Sequence, residues 1–204
     1  MRSHVSAHAG DDDAAQAYLA AALDHLRPRT ARLIAVGGLS GSGKSTLAHL
    51  VAPAIGAPPG AVILRTDEIR KRLWGAGHDQ TLPAPAYAPA MTARTYDALI
   101  AEGLAILKAG GSVMLDATFL DDHQRQRAGH LARAVGVPLE GVWLQGDRDL
   151  LASRIRARSG DASDATVAVL DEQLARRPVP PSDWRVFDAA DLEGASQALI
   201  AAEP

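Results

Sequence analysis

Residues Gly38–Thr46 read GLSGSGKST and fit the pattern G-x-x-x-x-G-K-[ST]. The glycines let the backbone curl so that successive N–H groups point inward at phosphate oxygens. Lys44 brings a positive charge near the β- and γ-phosphates, and the Ser45 hydroxyl can bind Mg²⁺. An apolar run precedes the motif and a helical pattern follows it, so the positive end of a helix meets the same phosphates. The stretch therefore predicts an ATP site, whose binding residues are Gly38, Ser40, Gly41, Ser42, Gly43, Lys44, Ser45 and Thr46.

Strands and helices alternate on the C-terminal side of this motif. Short apolar runs predict five strands, at 32–37, 61–64, 112–115, 138–144 and 185–187. Helical patterns lie between them, at 45–54, 67–74, 89–108, 121–135, 147–158, from about 162 to 177, and at 191–202. This alternation predicts an α/β fold of the P-loop NTPase type, with a five-stranded parallel sheet, helices on both faces and a helical lid.

The chain is expected to divide into three parts. Residues 1–12 are small and polar and predict a disordered N-terminus. Residues 13–29 predict an N-terminal helix or linker, with acidic residues at its start where the helix dipole favours negative charge. Residues 30–204 form the expected P-loop kinase domain, in which 75–89 is a loop rich in glycine, proline and alanine.

The overall composition limits the classes of protein that remain. The 204 residues are 47% hydrophobic and 22% charged, with a formal net charge of −3, which gives no whole-chain attraction to nucleic acid or anionic lipid. No cysteine is present, so disulfides and thiolate metal sites are excluded. No apolar run approaches the ~18 residues that span a bilayer, and the first residues lack the apolar region of a signal peptide. We expect a cytoplasmic enzyme without a membrane partner.

The phosphate motif alone does not identify a reaction. A GTPase would carry a guanine-reading [NT]-K-x-D motif, and an ABC ATPase would carry an LSGGQ-type signature; the sequence has neither. A small chain with one P-loop is typical of kinases that act on small molecules or nucleotides.

Asp67 and Arg70 are the candidates for the acceptor side of such a reaction. They follow the second predicted strand, three residues apart, and so share one face of the next helix at the carboxyl edge of the sheet. Asp67 can accept the proton of an attacking hydroxyl, and Arg70 can position that carboxylate or bind the acceptor. The alternative is that Thr66 or Asp67 caps the helix and that Arg70 is a solvated charge.

Asp116 ends the apolar strand VML, as a Walker B carboxylate does. It is predicted to hold Mg²⁺ with Ser45, directly or through water, or to accept a hydrogen bond from Ser45. Thr118 is a candidate contact to the acceptor. Helix capping in this region is assigned to Asp121 or Asp122.

The helix at 147–158 carries candidate lid arginines. Arg154 and Arg158 are four residues apart, and arginines on a closing lid stabilise the charge that develops in phosphoryl transfer. The alternative is a solvated basic helix followed by a helix capped by Ser163 or Asp164, and we favour a surface position for Arg148. Arg125 and Arg127, on the preceding helix, are also expected at the surface.

Four segments occur in one order: GLSGSGKST, LRTDEIRKRL, VMLDATFL and RIRARSGDASDA. With them the chain resembles the P-loop kinases of the AAA_33/zeta-toxin-like superfamily, in which such a domain often follows an aminoglycoside-phosphotransferase-like domain. It is more distantly similar to polynucleotide 5′-kinases and gluconate kinases. The resemblance covers roughly residues 13–190, and a separate aminoglycoside-phosphotransferase-like protein is then a candidate partner.

The resemblance also carries specific expectations. It implies the sheet order 2-3-1-4-5 and an adenine pocket near Asp188–Ala190. It matches Asp67 to the general base, Arg70 to the partner of that base, and Arg154 or Arg158 to the lid arginine. Lys44 and Ser45 match the ATP-phosphate residues, with ATP and Mg²⁺ as cofactors.

Three functions follow as hypotheses. The first is an ATP- and Mg²⁺-dependent kinase of a small hydroxyl compound such as a sugar or polyol. The second is a polynucleotide 5′-hydroxyl kinase, for which Lys71, Arg72 and Trp74 form the candidate nucleic-acid cluster. The third is an ATP-binding regulatory switch, in which loop 75–89 and the N-terminal helix bind a partner.

Overall fold

The computed structural model describes residues 11–26, 29–158 and 162–202. The predicted disordered N-terminus, up to residue 10, and the predicted turn at 159–161 lie outside these ranges. In the ranges described, no helix combines the length and apolar character that crossing a bilayer demands.

Helices and strands alternate as the sequence predicts. The strands are β1 (Leu33–Gly38), β2 (Val62–Arg65), β3 (Val113–Asp116), β4 (Leu139–Gln145) and β5 (Arg185–Asp188). The α-helices are α1 (Asp12–Leu26), α2 (Lys44–Val51), α3 (Thr66–Trp74), α4 (Pro89–Lys108), α5 (Asp122–Val135), α6 (Arg148–Ala157), α7 (Val167–Ala175) and α8 (Leu192–Ile200). Two short 3₁₀ helices occur, at Ala52–Ala54 and Ala84–Tyr87.

The five strands form one parallel sheet in the order β2-β3-β1-β4-β5, which confirms the expected topology. The register pairs Val36 of β1 with Asp116 of β3, and Arg65 of β2 with the same Asp116. The carboxyl ends of three neighbouring strands therefore meet at one edge of the sheet, directly beside the P-loop.

Both faces of the sheet are buried, because alternate residues of each strand point to opposite sides. Leu33 and Ala35 of β1 join the core on the side of α4 and α5. Ile34 and Val36 join the core on the side of α2 and α8. All six residues of β1 are buried, which explains why it reads as a continuous apolar run and not as an alternating strand.

Two helix starts differ from the predictions. Thr166 caps α7 by accepting from the Val169 N–H, so the capping assigned to Ser163 or Asp164 is wrong. α3 begins at Thr66 and has no side-chain cap, which removes the capping alternative for Thr66 and Asp67. The capping role of Asp121 is confirmed, because its carboxylate accepts from the His123 N–H at 2.8 Å.

An aromatic cluster fixes the segment that follows β3. Phe119 is fully buried and has a left-handed backbone with φ of 49°. Its ring makes edge-on contacts with Tyr96 and Trp184, at centroid distances of 5.9 and 5.3 Å. Trp184 in turn lies over Gly141 of β4, so close that a Cβ atom at Gly141 would overlap the indole ring.

A pair of Gly→Ala substitutions tests this packing. We expect Gly141→Ala to lower the free energy of unfolding by about 1–3 kcal/mol, because the added methyl group must displace Trp184 from a filled core. Gly129→Ala is the matched control: Gly129 lies inside α5, where a Cβ atom would meet only the end of the Arg133 side chain at 3.5 Å. It should raise the free energy of unfolding by about 0.5–1 kcal/mol. Urea denaturation measures both, and equal stability of Gly141→Ala and wild type would contradict the packing.

Candidate active site

A cavity of about 680 Å³ opens at the carboxyl edge of the sheet. Ligands of open α/β sheets bind at this position. The P-loop forms one wall, α3 with the loop 75–88 forms the second, and the α6–α7 region forms the third. Most of the candidate site residues predicted from the sequence therefore line this one cavity.

At Gly41 and Gly43, the P-loop backbone leaves no room for a side chain. Gly41 and Gly43 have φ of 81° and 92°, in the left-handed region that favours glycine. A Cβ atom at Gly41 would lie 2.5 Å from the Leu151 carbonyl oxygen of α6. A side chain at either position would be strained, so the tight curl of this loop depends on glycine, as a phosphate cradle requires.

Lys44 reaches back over the loop, and its Nζ donates to the Leu39 carbonyl at 2.9 Å. Burial lowers the pKa of Lys44, although the charges of Asp116 and Asp67 oppose this shift. The ammonium group therefore lacks full electrostatic compensation here, and an incoming phosphate would supply it.

Ser45 and Asp116 are joined, as the Walker B interpretation expects. The Ser45 hydroxyl donates to Asp116 Oδ2 at 2.6 Å, and Arg65 Nε donates to the same oxygen at 3.2 Å. Arg65 also pairs with Glu68, at 3.0 Å. A hydroxyl and a carboxylate oxygen at the edge of a phosphate cradle are the hard oxygen ligands that Mg²⁺ prefers. The residues present thus fit a magnesium ion bound next to the phosphates.

Asp67 lies in the cavity between the P-loop and the lid, with part of its side chain exposed to that space. Burial raises the pKa of Asp67, and the neighbouring negative charge of Asp116 adds to the shift. A hydrogen bond from Ser163 and the charges of Lys44 and Arg65 act in the opposite direction but are outweighed. A carboxylate with a raised pKa is a stronger base than an ordinary aspartate.

Arg70 also faces the cavity, but its contacts go to the loop after α3. Its Nη1 donates to the Ala86 carbonyl at 2.8 Å and lies 3.3 Å from the Thr92 hydroxyl. The guanidinium carbon lies 5.0 Å from the centre of the Tyr87 ring. Arg70 therefore holds this loop in place, and its predicted pairing with Asp67 is not among the described contacts.

Asp164 connects the loop to the lid. It accepts hydrogen bonds from the Tyr87 hydroxyl at 2.7 Å and from the Leu82 N–H at 2.9 Å, and it lies 3.3 Å from Lys71 Nζ. Despite partial burial, these partners lower the pKa of Asp164. Burial and the hydrogen bond to Asp164 raise the pKa of Tyr87. We call these four residues the Asp164 cluster; two of them, Asp164 and Tyr87, line the cavity.

The lid presents two arginines to the cavity. Arg154 Nη1 lies 3.4 Å from the Ser42 carbonyl, and Arg158 lies close enough to Lys44 for its charge to lower the pKa of that lysine. Arg148 points elsewhere and pairs with Asp171 of α7 through two contacts of 2.7 and 2.9 Å. The separation of Arg154 and Arg158 from Arg148 follows the sequence-based expectation.

The remaining candidates divide between the cavity and its surroundings. Thr118 lines the cavity, next to the buried Tyr96, whose pKa burial raises to about 12. Gly38 and Ser42, both predicted to bind ATP, are buried and are not among the residues that line the cavity. Arg125 contacts Phe119 and Asp122, and Arg127 contacts Asp97. Neither lines the cavity, but both are half-buried and not at the surface as expected.

Several residues of the site were not predicted from the sequence. Gln173 of α7 makes two hydrogen bonds to the P-loop: its Oε1 accepts from Ser40 N at 2.9 Å and its Nε2 donates to Ser40 Oγ at 3.0 Å. Other polar residues that were missed line the cavity: Arg65, Tyr87, Thr92, Tyr96, Gln124, Ser163 and Asp164. Only Arg65 could have been predicted from its local sequence, because it lies at the end of a strand, two residues before Asp67.

Comparison with known proteins gives a family and a relative. The AAA_33 family, described as AAA domain, matches residues 33–180. An uncharacterized protein of Mycobacterium tuberculosis is 33% identical over 181 residues, which cover 87% of this chain and 35% of the relative. The chain thus spans about a third of the length of the curated relatives it matches.

Solved structures with the same fold include several kinases. A sugar kinase from Janibacter is 24% identical with a TM-score of 0.55, over 84% of this chain and 91% of that chain. A gluconokinase from Sinorhizobium meliloti is 22% identical with a TM-score of 0.54, over 86% and 94%. Kti12 from Chaetomium thermophilum, in complex with ADP-AlF3, is 19% identical with a TM-score of 0.60, over 83% and 95%. At these identities the likeness establishes the fold.

The contribution of the hydrogen bonds between Gln173 and the P-loop can be tested by measuring the free energy of unfolding. Gln173→Ala removes two hydrogen bonds to Ser40, each worth about 1 kcal/mol, so we expect the free energy of unfolding to fall by about 1–2 kcal/mol. Glu172→Ala is the control, because Glu172 is exposed on the same helix. Both free energies of unfolding are measured by urea denaturation. An equal loss in the two variants would contradict a stabilising role for the hydrogen bonds of Gln173.

Proposed function

This chain belongs to the AAA_33 family, and we propose that it is an ATP- and Mg²⁺-dependent kinase that transfers the γ-phosphate to a hydroxyl group of a small molecule such as a sugar or polyol. The observation that carries the proposal is the position of Asp67, a carboxylate with a raised pKa in the same cavity as the P-loop and the Ser45–Asp116 pair. The similarity of the fold to that of a sugar kinase and of a gluconokinase supports this acceptor class.

In this mechanism the P-loop binds and orients the phosphates of ATP. The backbone N–H groups around Gly41 and Gly43 contact phosphate oxygens, and Lys44 leaves the Leu39 carbonyl to neutralise them. Ser45 and Asp116 would hold Mg²⁺, directly or through water. When bound, the ion supplies positive charge at the phosphate oxygens and helps to align ATP for attack.

Asp67 acts as the general base. It takes the proton of the acceptor hydroxyl as the oxygen attacks the γ-phosphorus, so the new O–P bond forms while the bond to the β-phosphate oxygen breaks. The negative charge then remains on ADP. Arg154 and Arg158 stabilise the charge on the transferring phosphoryl group from the lid side. Both arginines lie at the P-loop end of the cavity, which suits this role better than contact with the acceptor.

The surroundings of α3 favour a small acceptor over a polynucleotide. Lys71 is 3% exposed and is occupied by Asp164 and the His78 carbonyl. Arg72 is paired with Glu102 of α4. Two of the three residues proposed as a nucleic-acid cluster are therefore engaged within the protein.

Substitution of Asp67 tests the catalytic assignment. We expect Asp67→Asn to lower the rate of phosphoryl transfer by about 10²–10⁴-fold, because general-base assistance is lost, while AMPPNP binding is retained. The measurement uses γ-labelled ATP with pooled sugars, polyols, nucleosides and oligonucleotides. Asp97→Asn, an exposed aspartate of α4, is the control.

The outcomes separate the candidate functions. Transfer to oligonucleotides alone would replace the small-molecule proposal. Nucleotide binding without transfer to any pool would leave the regulatory-switch hypothesis in its place. Transfer by Asp67→Asn at the wild-type rate would remove Asp67 from the mechanism.

The raised pKa of Asp67 predicts a pH dependence. The base works only when ionised, so kcat should fall as the pH drops through a pKa above the ordinary value of 3.8. The acidic limb should disappear from the residual activity of Asp67→Asn. A wild-type limb centred at or below the ordinary value would show that burial does not govern this group.

A further inference from the structure

The peptide unit between Leu39 and Ser40 is hydrogen-bonded at both of its ends. Its carbonyl oxygen, on Leu39, accepts from Lys44 Nζ at 2.9 Å, and its N–H group, on Ser40, donates to Gln173 Oε1 at 2.9 Å. Gln173 Nε2 also donates to Ser40 Oγ at 3.0 Å, so both polar atoms of the glutamine amide are used. The lysine of the P-loop and a glutamine of the lid are therefore joined through a single peptide unit.

These hydrogen bonds strengthen one another because they run in one direction. The ammonium group of Lys44 polarises the Leu39 carbonyl, and a polarised peptide unit donates more strongly through its N–H group. That N–H group donates to the Gln173 amide, which in turn donates to the Ser40 hydroxyl. A change at Gln173 therefore alters the peptide unit that holds Lys44.

Apolar packing keeps the P-loop and the lid together but does not set the direction of this peptide unit. Leu39 belongs to a buried cluster with Leu151 of α6 and Leu170 of α7. Burial of apolar surface is non-directional, whereas a hydrogen bond requires a narrow range of angles. Gln173, with one bond to the peptide N–H group and one to the adjacent hydroxyl, therefore supplies the orientation that the packing of Leu39 leaves open.

The position of Lys44 before nucleotide binds affects the affinity for phosphate. A lysine side chain has many rotamers, and ordering it costs conformational entropy when a ligand binds. A carbonyl that already holds the ammonium group reduces that cost, as pre-organisation does in general. Lys44, Ser40 and Gln173 all line the cavity in which the phosphates of ATP are proposed to bind.

We propose that Gln173 is a positioning residue for Lys44, which fixes from the lid the Leu39–Ser40 peptide unit whose carbonyl holds the lysine. The inference rests on the proposed ATP site and adds a coupling to it. When α7 is docked through Gln173, Lys44 is ordered in advance and nucleotide binds more tightly. By thermodynamic linkage, nucleotide strengthens the docking of α7 by the same factor. Gln173 acts through Lys44 and takes no part in the bonds made and broken.

The first measurement is the affinity for AMPPNP with Mg²⁺, by isothermal titration calorimetry. Gln173→Met keeps the length of the side chain but removes the amide that bonds to Ser40. We expect it to bind AMPPNP about tenfold more weakly than wild type, because Lys44 must then be ordered during binding. Glu172→Met is the matched control, since Glu172 is the exposed neighbour on the same helix, and it should bind as wild type does.

Hydrogen exchange of backbone amides distinguishes positioning from a purely structural role. In wild type, AMPPNP should slow the exchange of α7 by about tenfold, as the linkage requires. In Gln173→Met this nucleotide-dependent slowing should be lost. Helix α6 is the internal reference, because its Arg154 lies beside the P-loop and should keep its response to nucleotide in both proteins. If AMPPNP slowed α7 equally in both proteins, the role of Gln173 would be structural only and the proposal would fail.

A second variant separates the hydrogen bond from the rest of the side chain. Gln173→Glu keeps an oxygen that can accept from the Ser40 N–H group. Without nucleotide, its Ser40 amide should exchange as slowly as in wild type, whereas in Gln173→Met it should exchange faster. If Gln173→Met does not fold, as judged by circular dichroism, the wild-type protein still decides: α7 exchange that does not respond to AMPPNP would overturn the coupling.

The outcomes keep this inference apart from the proposed function. Wild-type affinity for AMPPNP in Gln173→Met would remove the role of Gln173, while the kinase proposal would stand on its own transfer assay. Equal weakening in Glu172→Met would assign the effect to α7 as a whole and overturn the role of the Gln173 amide. Failure of the wild-type protein to bind AMPPNP would instead contradict the proposed ATP site.

Discussion

The hydrogen bond from Ser45 to Asp116, 2.6 Å long, joins the start of α2 to the end of β3, and the rest of the site is arranged around it. It forms because β1 and β3 are parallel neighbours whose register sets Val36 beside Asp116. The same register pairs Arg65 with Asp116, so Arg65 donates to the oxygen that Ser45 uses. Asp67 follows two residues later at the start of α3. A sheet with another strand order would separate these groups, and the P-loop would no longer lie beside Asp116 and Asp67.

Burial has the larger effect on the two titrating groups that face this bond. Lys44 and Asp67 attract each other, and each is drawn towards its charged form by that attraction. Even so, the pKa of Lys44 is lowered and the pKa of Asp67 is raised, because the loss of water outweighs the attraction. Both groups are thereby less stably charged than in solvent. In the proposed mechanism, this shift makes Asp67 a stronger base and lets phosphate charge stabilise Lys44.

The features that the sequence predicted correctly are those with a local signal. The P-loop, the ends of β2 and β3 next to Asp67 and at Asp116, and the helix Pro89–Lys108 depend on residues close together in the chain. Contacts between distant segments could not be predicted in the same way. Asp164 stands 77 residues from Tyr87, and no periodicity links them. Gln173 reaches Ser40 across 133 residues. Arg70 was selected correctly as a cavity residue, but its partners are set by how the loop 75–88 folds back, which helical spacing does not encode.

Asp164 has a further consequence for how the energies of these contacts combine. One carboxylate accepts from the Tyr87 hydroxyl and the Leu82 N–H and pairs with the Lys71 ammonium group. The contribution of each interaction to the free energy of unfolding therefore depends on the other two. Removal of the carboxylate leaves a buried lysine without its counter-charge, whereas removal of Tyr87 alone leaves the lysine satisfied. The effects of substitutions at residues sharing such a partner do not add. The loop and the lid therefore behave as one thermodynamic unit, and sequence changes on either side are constrained by the residue that both share.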